Sequence, residues 1–206
     1  MELSDILLLV LGFSVIKLIK KKNKEKMTGG GEDMLNIYDE PLAACGTPNM
    51  NNGYWDAEGK CSELGGGVHQ ICVRKIAKNT PGFSEITGQS NWSDGRGEDN
   101  HCVCLGAWSL YNAKLNKNDS DKNVLKCDAI PKNSLSKDYV SKFSEGWNKW
   151  NGLEFDNQIL DGVESLMKNC YKPDSKKSEK LRKNYCKFAS EIKSLQNSIT
   201  YKSLCK

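Results

Sequence analysis

Apolar positions along the chain follow distinct regimes. From Leu3 to Ile19 they run almost unbroken, with Asp5 near the start and Lys17 near the end as the charged interruptions. Ile6, Leu7, Leu8, Leu9, Val10, Leu11, Phe13, Val15, Ile16, Leu18 and Ile19 would cover every side of a helix. That pattern predicts a membrane span rather than an amphipathic helix lying on a surface. At ~1.5 Å per residue the helix is about 25 Å long, a little short of the ~30 Å hydrocarbon core yet within the range of a single span.

Between Leu35 and Leu135 the pattern is irregular. Val68 to Ala77 reads as a buried strand or a short helix, and periodicity alone does not choose. Cys102 to Trp108 forms a second apolar element, and Val124-Leu125-Lys126-Cys127 is a candidate third strand, ended by Pro131. Asn79-Thr80-Pro81-Gly82 and Ser90 to Asn100 carry turn residues and predict loops.

After Ser136 the period becomes helical. Val140, Phe143, Trp147 and Trp150 make one helical face, stopped by Asn151-Gly152. Phe155, Ile159, Val163, Leu166 or Met167, and Cys170 make a second, ended by Pro173 and Asp174. Leu181, Tyr185, Phe188, Ile192, Leu195 and Ile199 predict a third helix. Such helices either pack on the preceding domain or extend as an arm, and packing is the simpler expectation.

The expected organisation is therefore an anchor with a basic stop at 1–26 and a Gly-rich linker at 27–34. A Cys-rich α+β domain with much loop at 35–135 and a helical region at 136–206 complete it. The fold class is α+β behind a single transmembrane helix.

Charge sharpens this picture. Lys+Arg 30 against Asp+Glu 26 gives a net +4, and the excess sits largely in Lys17, Lys20, Lys21, Lys22, Lys24 and Lys26. The rest is close to neutral, which argues against a nucleic-acid face. A cleaved signal peptide would start basic, whereas this chain starts with Glu2 and Asp5 and places its lysines afterwards. A retained anchor is expected, its lysines on anionic headgroups and the globular part on the cytosolic face. Gly29-Gly30-Gly31 reads as a permissive spacer, since no Gly-Lys-Ser/Thr follows it to make a phosphate loop. The abundance of Asn and Lys reflects an AT-rich genome and carries no chemistry.

The candidate chemistry lies in the cysteines, of which there are nine. An odd number leaves at least one outside any intrachain framework. Three readings stay open for Cys45, Cys61, Cys72, Cys102 and Cys104. A zinc site would draw on these together with His69, but Cys-x-Cys and His-x-x-Cys are weaker signals than paired Cys-x-x-Cys knuckles. His101 lies among polar loop residues and is expected to be exposed. A redox site would use a local Cys102–Cys104 disulfide. Structural disulfides or buried thiols are the remaining reading, with Cys127, Cys170 and Cys186 as further disulfide candidates. Cys170 and Cys186 would bridge each other only across a connection wider than Lys172 to Ser175. Cys205 is the expected odd thiol. No metal or cofactor is expected, with zinc as the alternative.

Several of these residues carry a resemblance. Pro41-Leu42-Ala43-Ala44-Cys45, Gly53-Tyr54, Cys61, Gly67-Val68-His69-Gln70-Ile71-Cys72, then Gly97, Asp99, Cys102-Val103-Cys104 and Trp108 keep the order and approximate spacing of one pattern. The segment from Pro41 to about Leu135 thereby resembles a bacterial family known as domain of unknown function twenty-two thirty-seven. The resemblance implies a fold without an assigned reaction. Where that family has an Arg before the closing Trp this chain has Ala107, and Asp128-Ala129 replaces a later Thr-His pair. Any activity resting on those polar groups is expected to be lost.

As a whole, the uncleaved anchor, basic stop and cysteine-containing body look like the membrane-linked minor capsid proteins of nucleocytoplasmic large DNA viruses. That resemblance implies a non-enzymatic structural protein of the virion, between an inner membrane and the capsid. Its partners would be the lipid bilayer and capsid or other assembly subunits, with no nucleic acid. It also reconciles disulfides with cytosolic synthesis, because such viruses commonly encode thiol oxidases. Two alternatives stand: a membrane-tethered thiol-redox or zinc-dependent enzyme, and a cellular single-pass membrane protein with a disulfide-bonded luminal domain.

Overall fold

The computed structural model describes residues 34–47, 58–61, 69–115, 123–137 and 155–206, the side chains of 155–160 excepted. The leader, its lysines, the glycine spacer, the Gly53-Tyr54 turn and the helix expected around Trp147 and Trp150 lie outside the described residues.

The apolar run ending at Ala77 resolves as both of its readings in succession. Its first half is strand β1 (His69–Val73), and after a left-handed Lys75 its second half becomes the single turn α1 (Ile76–Asn79). A further turn, α2 (Phe83–Ile86), follows the Pro81-Gly82 corner. Strand β2 (His101–Cys104) passes directly into helix α3 (Leu105–Lys114), so the second apolar element is likewise half strand and half helix.

The two strands pair antiparallel, with Ile71 opposite Val103, Cys72 opposite Cys102, and Val73 opposite His101. His69 pairs with Cys104 across a register shift that leaves Gln70 as the extra residue. Gln70 is buried, and its side-chain carbonyl accepts a 3.4 Å bond from the Leu105 amide at the start of α3. A bulge residue thus caps the helix that follows the partner strand, satisfying one of the amides a helix start leaves open.

The expected third strand does not form as such. Leu125 makes one isolated bridge to Val73, and Cys127–Ala129 is a 3-10 turn. Two backbone bonds flank that bridge, Arg74 N to Val124 O at 2.7 Å and Lys126 N to Cys72 O at 3.0 Å, and Asn169 Oδ1 takes the amides of Val124 at 2.9 Å and Leu125 at 3.3 Å. This segment therefore straps helix and sheet together.

Of the helical region, the described residues 155–206 pack on the domain. Helix α4 (Phe155–Cys170) buries Val163, Leu166, Met167 and Cys170, so both residues offered for one position face inward. They share one core with Ile71, Val73, Val103, Trp108 and Tyr111, and with Leu181, Tyr185 and Phe188 of α5 (Lys176–Ser190). The contact of α3 with α4 is close enough that a Cβ on Gly162 would fall 2.8 Å from Ser109 Cα.

The single third helix expected from Leu181 to Ile199 is instead three. Ile192 is extended, at φ −124° and ψ 110°, and separates α5 from α6 (Lys193–Gln196). Ser198 breaks the chain again and caps α7 (Ile199–Leu204), its hydroxyl accepting from the Tyr201 amide. Ile192 and Leu195 remain buried, but Ile199 turns outward and is 85% exposed. The described part is thus a mixed fold with little strand, built on a disulfide-rich body. No helix among the described residues is long and apolar enough to cross a membrane.

Candidate functional site

Residues opposite each other in an antiparallel ladder share a face, and the faces of this small sheet differ. Ile71, Val73 and Val103 point into the large apolar core, whereas Cys72 and Cys102 belong to a second buried cluster with Cys45, Cys61 and Ala129. All four cysteines are inaccessible to solvent. Cys45 bonds to Cys72 at 1.92 Å and Cys61 to Cys102 at 2.03 Å. The two bridges are neighbours, since the Sγ atoms of Cys45, Cys61 and Cys72 lie within 4.8 Å of one another.

Local bonds hold the loops that deliver Cys45 and Cys61. The Cys45 amide donates to Gly59 O at 2.7 Å, and Asn100 Nδ2 donates to Cys45 O at 2.7 Å. Lys126 Nζ, half-buried, donates to Ala44 O at 2.6 Å. Asn36 fastens the same region from the other side: Nδ2 donates to Asp128 O at 3.2 Å while Oδ1 accepts from the amides of Tyr38 and Glu40.

Two further disulfides bind the helices. Cys127–Cys170 ties the strap to the end of α4, and Cys186–Cys205 ties α5 to the end of α7. Four of the five cysteines in the family-like pattern converge in the buried cluster. Cys104 does not: it lies outside all four bridges, half-buried and in register with His69. The expected roles of two cysteines are therefore corrected. Cys205 is bonded to Cys186 and Cys104 is the odd one, because Cys102 is taken by Cys61 while Cys104 packs against the large apolar core instead of the sulfur cluster. The local Cys102–Cys104 bridge and the Cys170–Cys186 bridge are excluded for the same reason: each has a member bonded elsewhere.

His101 is also corrected. It is 6% exposed, not an open loop residue, with the Trp92 ring tilted against it at 4.5 Å between ring centroids and Arg96 above the Trp92 ring at 5.7 Å. Phe83 packs edge-on to Trp92 and tilts against Tyr111, completing an aromatic wall. Burial, followed by the charges of Arg96 and His69, pulls the His101 pKa down to about 3, so the ring stays neutral at ordinary pH. His69 lies half-buried at the far end of the ladder and is not one of the clustered ligand atoms.

Sequence reasoning missed Gln70, Asn36 and Asn169, whose buried amides organise the strands and strap. Asparagine in a lysine- and asparagine-rich chain gives no signal that separates these positions from the many solvated ones.

A surface cavity of about 500 Å³ lies between Met34, Leu35, the Pro131–Lys137 turn and Phe188 of α5. Both the approach from the leader, at Met34, and the departure towards Trp147, at Lys137, are on its rim. Comparison with family models, with curated proteins and with solved structures finds no match to this chain.

Proposed function

We propose that this chain is a non-enzymatic structural protein, held to a membrane by its uncleaved leader and acting as a disulfide-stapled strut. Its setting is that of a membrane-linked minor capsid protein of a nucleocytoplasmic large DNA virus, tying an inner membrane to the shell. The observation that carries this reading is the stapling. Four disulfides close loops spanning 27, 41, 43 and 19 residues, and the third fastens the helical region to the Cys-rich part. Each such closure disfavours the unfolded chain by about 3–4 kcal/mol in the chain-entropy account. A body built this way keeps its shape under load and in an oxidising particle.

Two substitutions support the absence of a reaction. Ala107 and Ala129 occupy positions where the resembling family is polar, and both are buried, Ala129 against the paired disulfides. The leader, expected to span as a helix, supplies the anchor, and its lysines supply headgroup contact. Trp147 and Trp150 are the aromatics offered to a shell partner.

Flotation with membranes tests the anchor. The full chain is expected to float, and a chain lacking residues 1 to 26 to remain at the bottom of the gradient. Equal flotation of both rejects the reading. The four disulfides also favour a cellular protein with a luminal domain, and protease protection in sealed vesicles separates the two: a strut on the cytosolic face is digested, a luminal domain is spared.

A further inference from the structure

The two bridges of the buried cluster are neighbours: the sulfurs of Cys45, Cys61 and Cys72 lie within 4.8 Å of one another, and Cys102 is bonded to Cys61. We propose that Cys45, Cys61, Cys72 and Cys102, in their reduced state, form a tetrathiolate site for a soft divalent metal ion, with Zn2+ as the ion. The body would then have two closed forms, metal-held when reduced and disulfide-held when oxidised.

Geometry supports the fit. A tetrahedral zinc with Zn–S bonds of ~2.3 Å places its sulfurs about 3.8 Å apart. The Sγ atoms of Cys45, Cys61 and Cys72 already lie within 4.8 Å of one another, and Cys102 is bonded to one of them. Opening each S–S bond to that spacing moves each sulfur by about 1 Å, and Cys102, outside the group of three, has further to turn about its side-chain torsions. Cys72 and Cys102 face each other across the ladder, so two ligands come from rigid elements and two from the loops at Cys45 and Cys61.

Charge supports it as well. Four thiolates around one Zn2+ carry a net charge of about −2, which a dry apolar site would oppose. The Lys126 ammonium donates to the Ala44 carbonyl, one residue before Cys45, and so brings a positive charge to the loop that delivers that ligand.

The chemistry balances in either direction. The chain as synthesised carries thiols, and metal binding releases their four protons. On oxidation, each pair of thiolates loses two electrons to a disulfide-bearing oxidant, an S–S bond forms, the oxidant takes up two protons to become a dithiol, and the metal departs. This inference stands apart from the anchor reading, because it concerns the body alone.

The test uses the full chain in detergent, produced in a reducing cytosol and kept reduced. With Co2+ as probe, one ion per chain is expected, showing the intense thiolate-to-cobalt absorption of a tetrahedral sulfur site and displaced by Zn2+. Alkylation in the presence of Zn2+, mapped by peptide mass, is expected to spare Cys45, Cys61, Cys72 and Cys102 and to label the other cysteines. A folded reduced chain that retains no metal overturns the proposal, as does protection of a different set. A chain that stays unfolded both with and without zinc overturns it equally, since the metal would then organise nothing.

Discussion

His101 shows how far a residue's sequence neighbourhood misleads. Between Asp99-Asn100 and Cys102 it reads as an exposed loop histidine, yet Trp92, nine positions earlier, folds over it and excludes water. Its folded pKa of about 3 lies below the ordinary 6.5, so the folded state holds the neutral ring. The sign follows: the stability linked to this group is complete above the unfolded value and is lost as pH falls from there towards 3, because the unfolded chain gains a proton that the folded one refuses. Urea titrations from neutral pH to about pH 4 are expected to show a loss approaching 1.4 kcal/mol per pH unit attributable to this ring. A His101→Asn chain should lose that component while keeping whatever the carboxylates contribute. Parallel pH profiles for both chains would show that the imidazole is solvated after all.

At the scale of elements, helix α4 was legible and the segment after α5 was not. The inward face of α4 follows from its spacing of three and four, because one face buried against a neighbour is all that periodicity encodes. The alternating four-three pattern from Leu181 to Ile199 is equally regular, but an extended Ile192 and a capped Ser198 break it while keeping Leu195 inside. Side-chain burial survived there without backbone continuity. Close approach is a second property that spacing does not reveal. Gly162 is the contact point with Ser109, and a methyl group there meets backbone, which does not give way as a flexible side chain would. Gly162→Ala gains up to ~1 kcal/mol of helix propensity but is expected to lose ~1–3 kcal/mol to overpacking, for a net fall in the urea midpoint. A midpoint at or above that of the parent chain would mean that the two helices separate without loss.

Across the whole molecule, covalent links and packing reinforce each other at the junction between strap and helix. Tyr38 donates its hydroxyl to Cys170 O at 2.8 Å, beside the Cys127–Cys170 bridge, and its burial, with Asp128 and Glu40 nearby, raises its pKa to about 12. Replacing Cys127 and Cys170 together by Ser is expected to lower unfolding stability by about 4 kcal/mol, the chain-entropy estimate for so long a loop. The buried bridges should persist in that variant, and a non-reducing peptide map would still pair Cys45 with Cys72 and Cys61 with Cys102. Reshuffled pairs in the map would instead make the third bridge the determinant of the other two.

Surface ion pairs such as Lys177–Glu40 and Arg182–Glu179 add little at this scale, because exposed partners stay solvated and screened.

From its residues alone this protein is recognisable as a chain with an apolar leader, a basic stop, a cysteine-rich α+β stretch and a helical end. Each of these is a local property, set by composition or by a short period. The tertiary structure decided which cysteine meets which, that Cys104 and not Cys205 stands outside the bridges, and that His101 is dry. The bridges join residues 19 to 43 positions apart, and the cover over His101 comes from Trp92 across an irregular loop. Spacing carries no information about such meetings, because they are settled only when the faces of separate elements compete for the same buried volume.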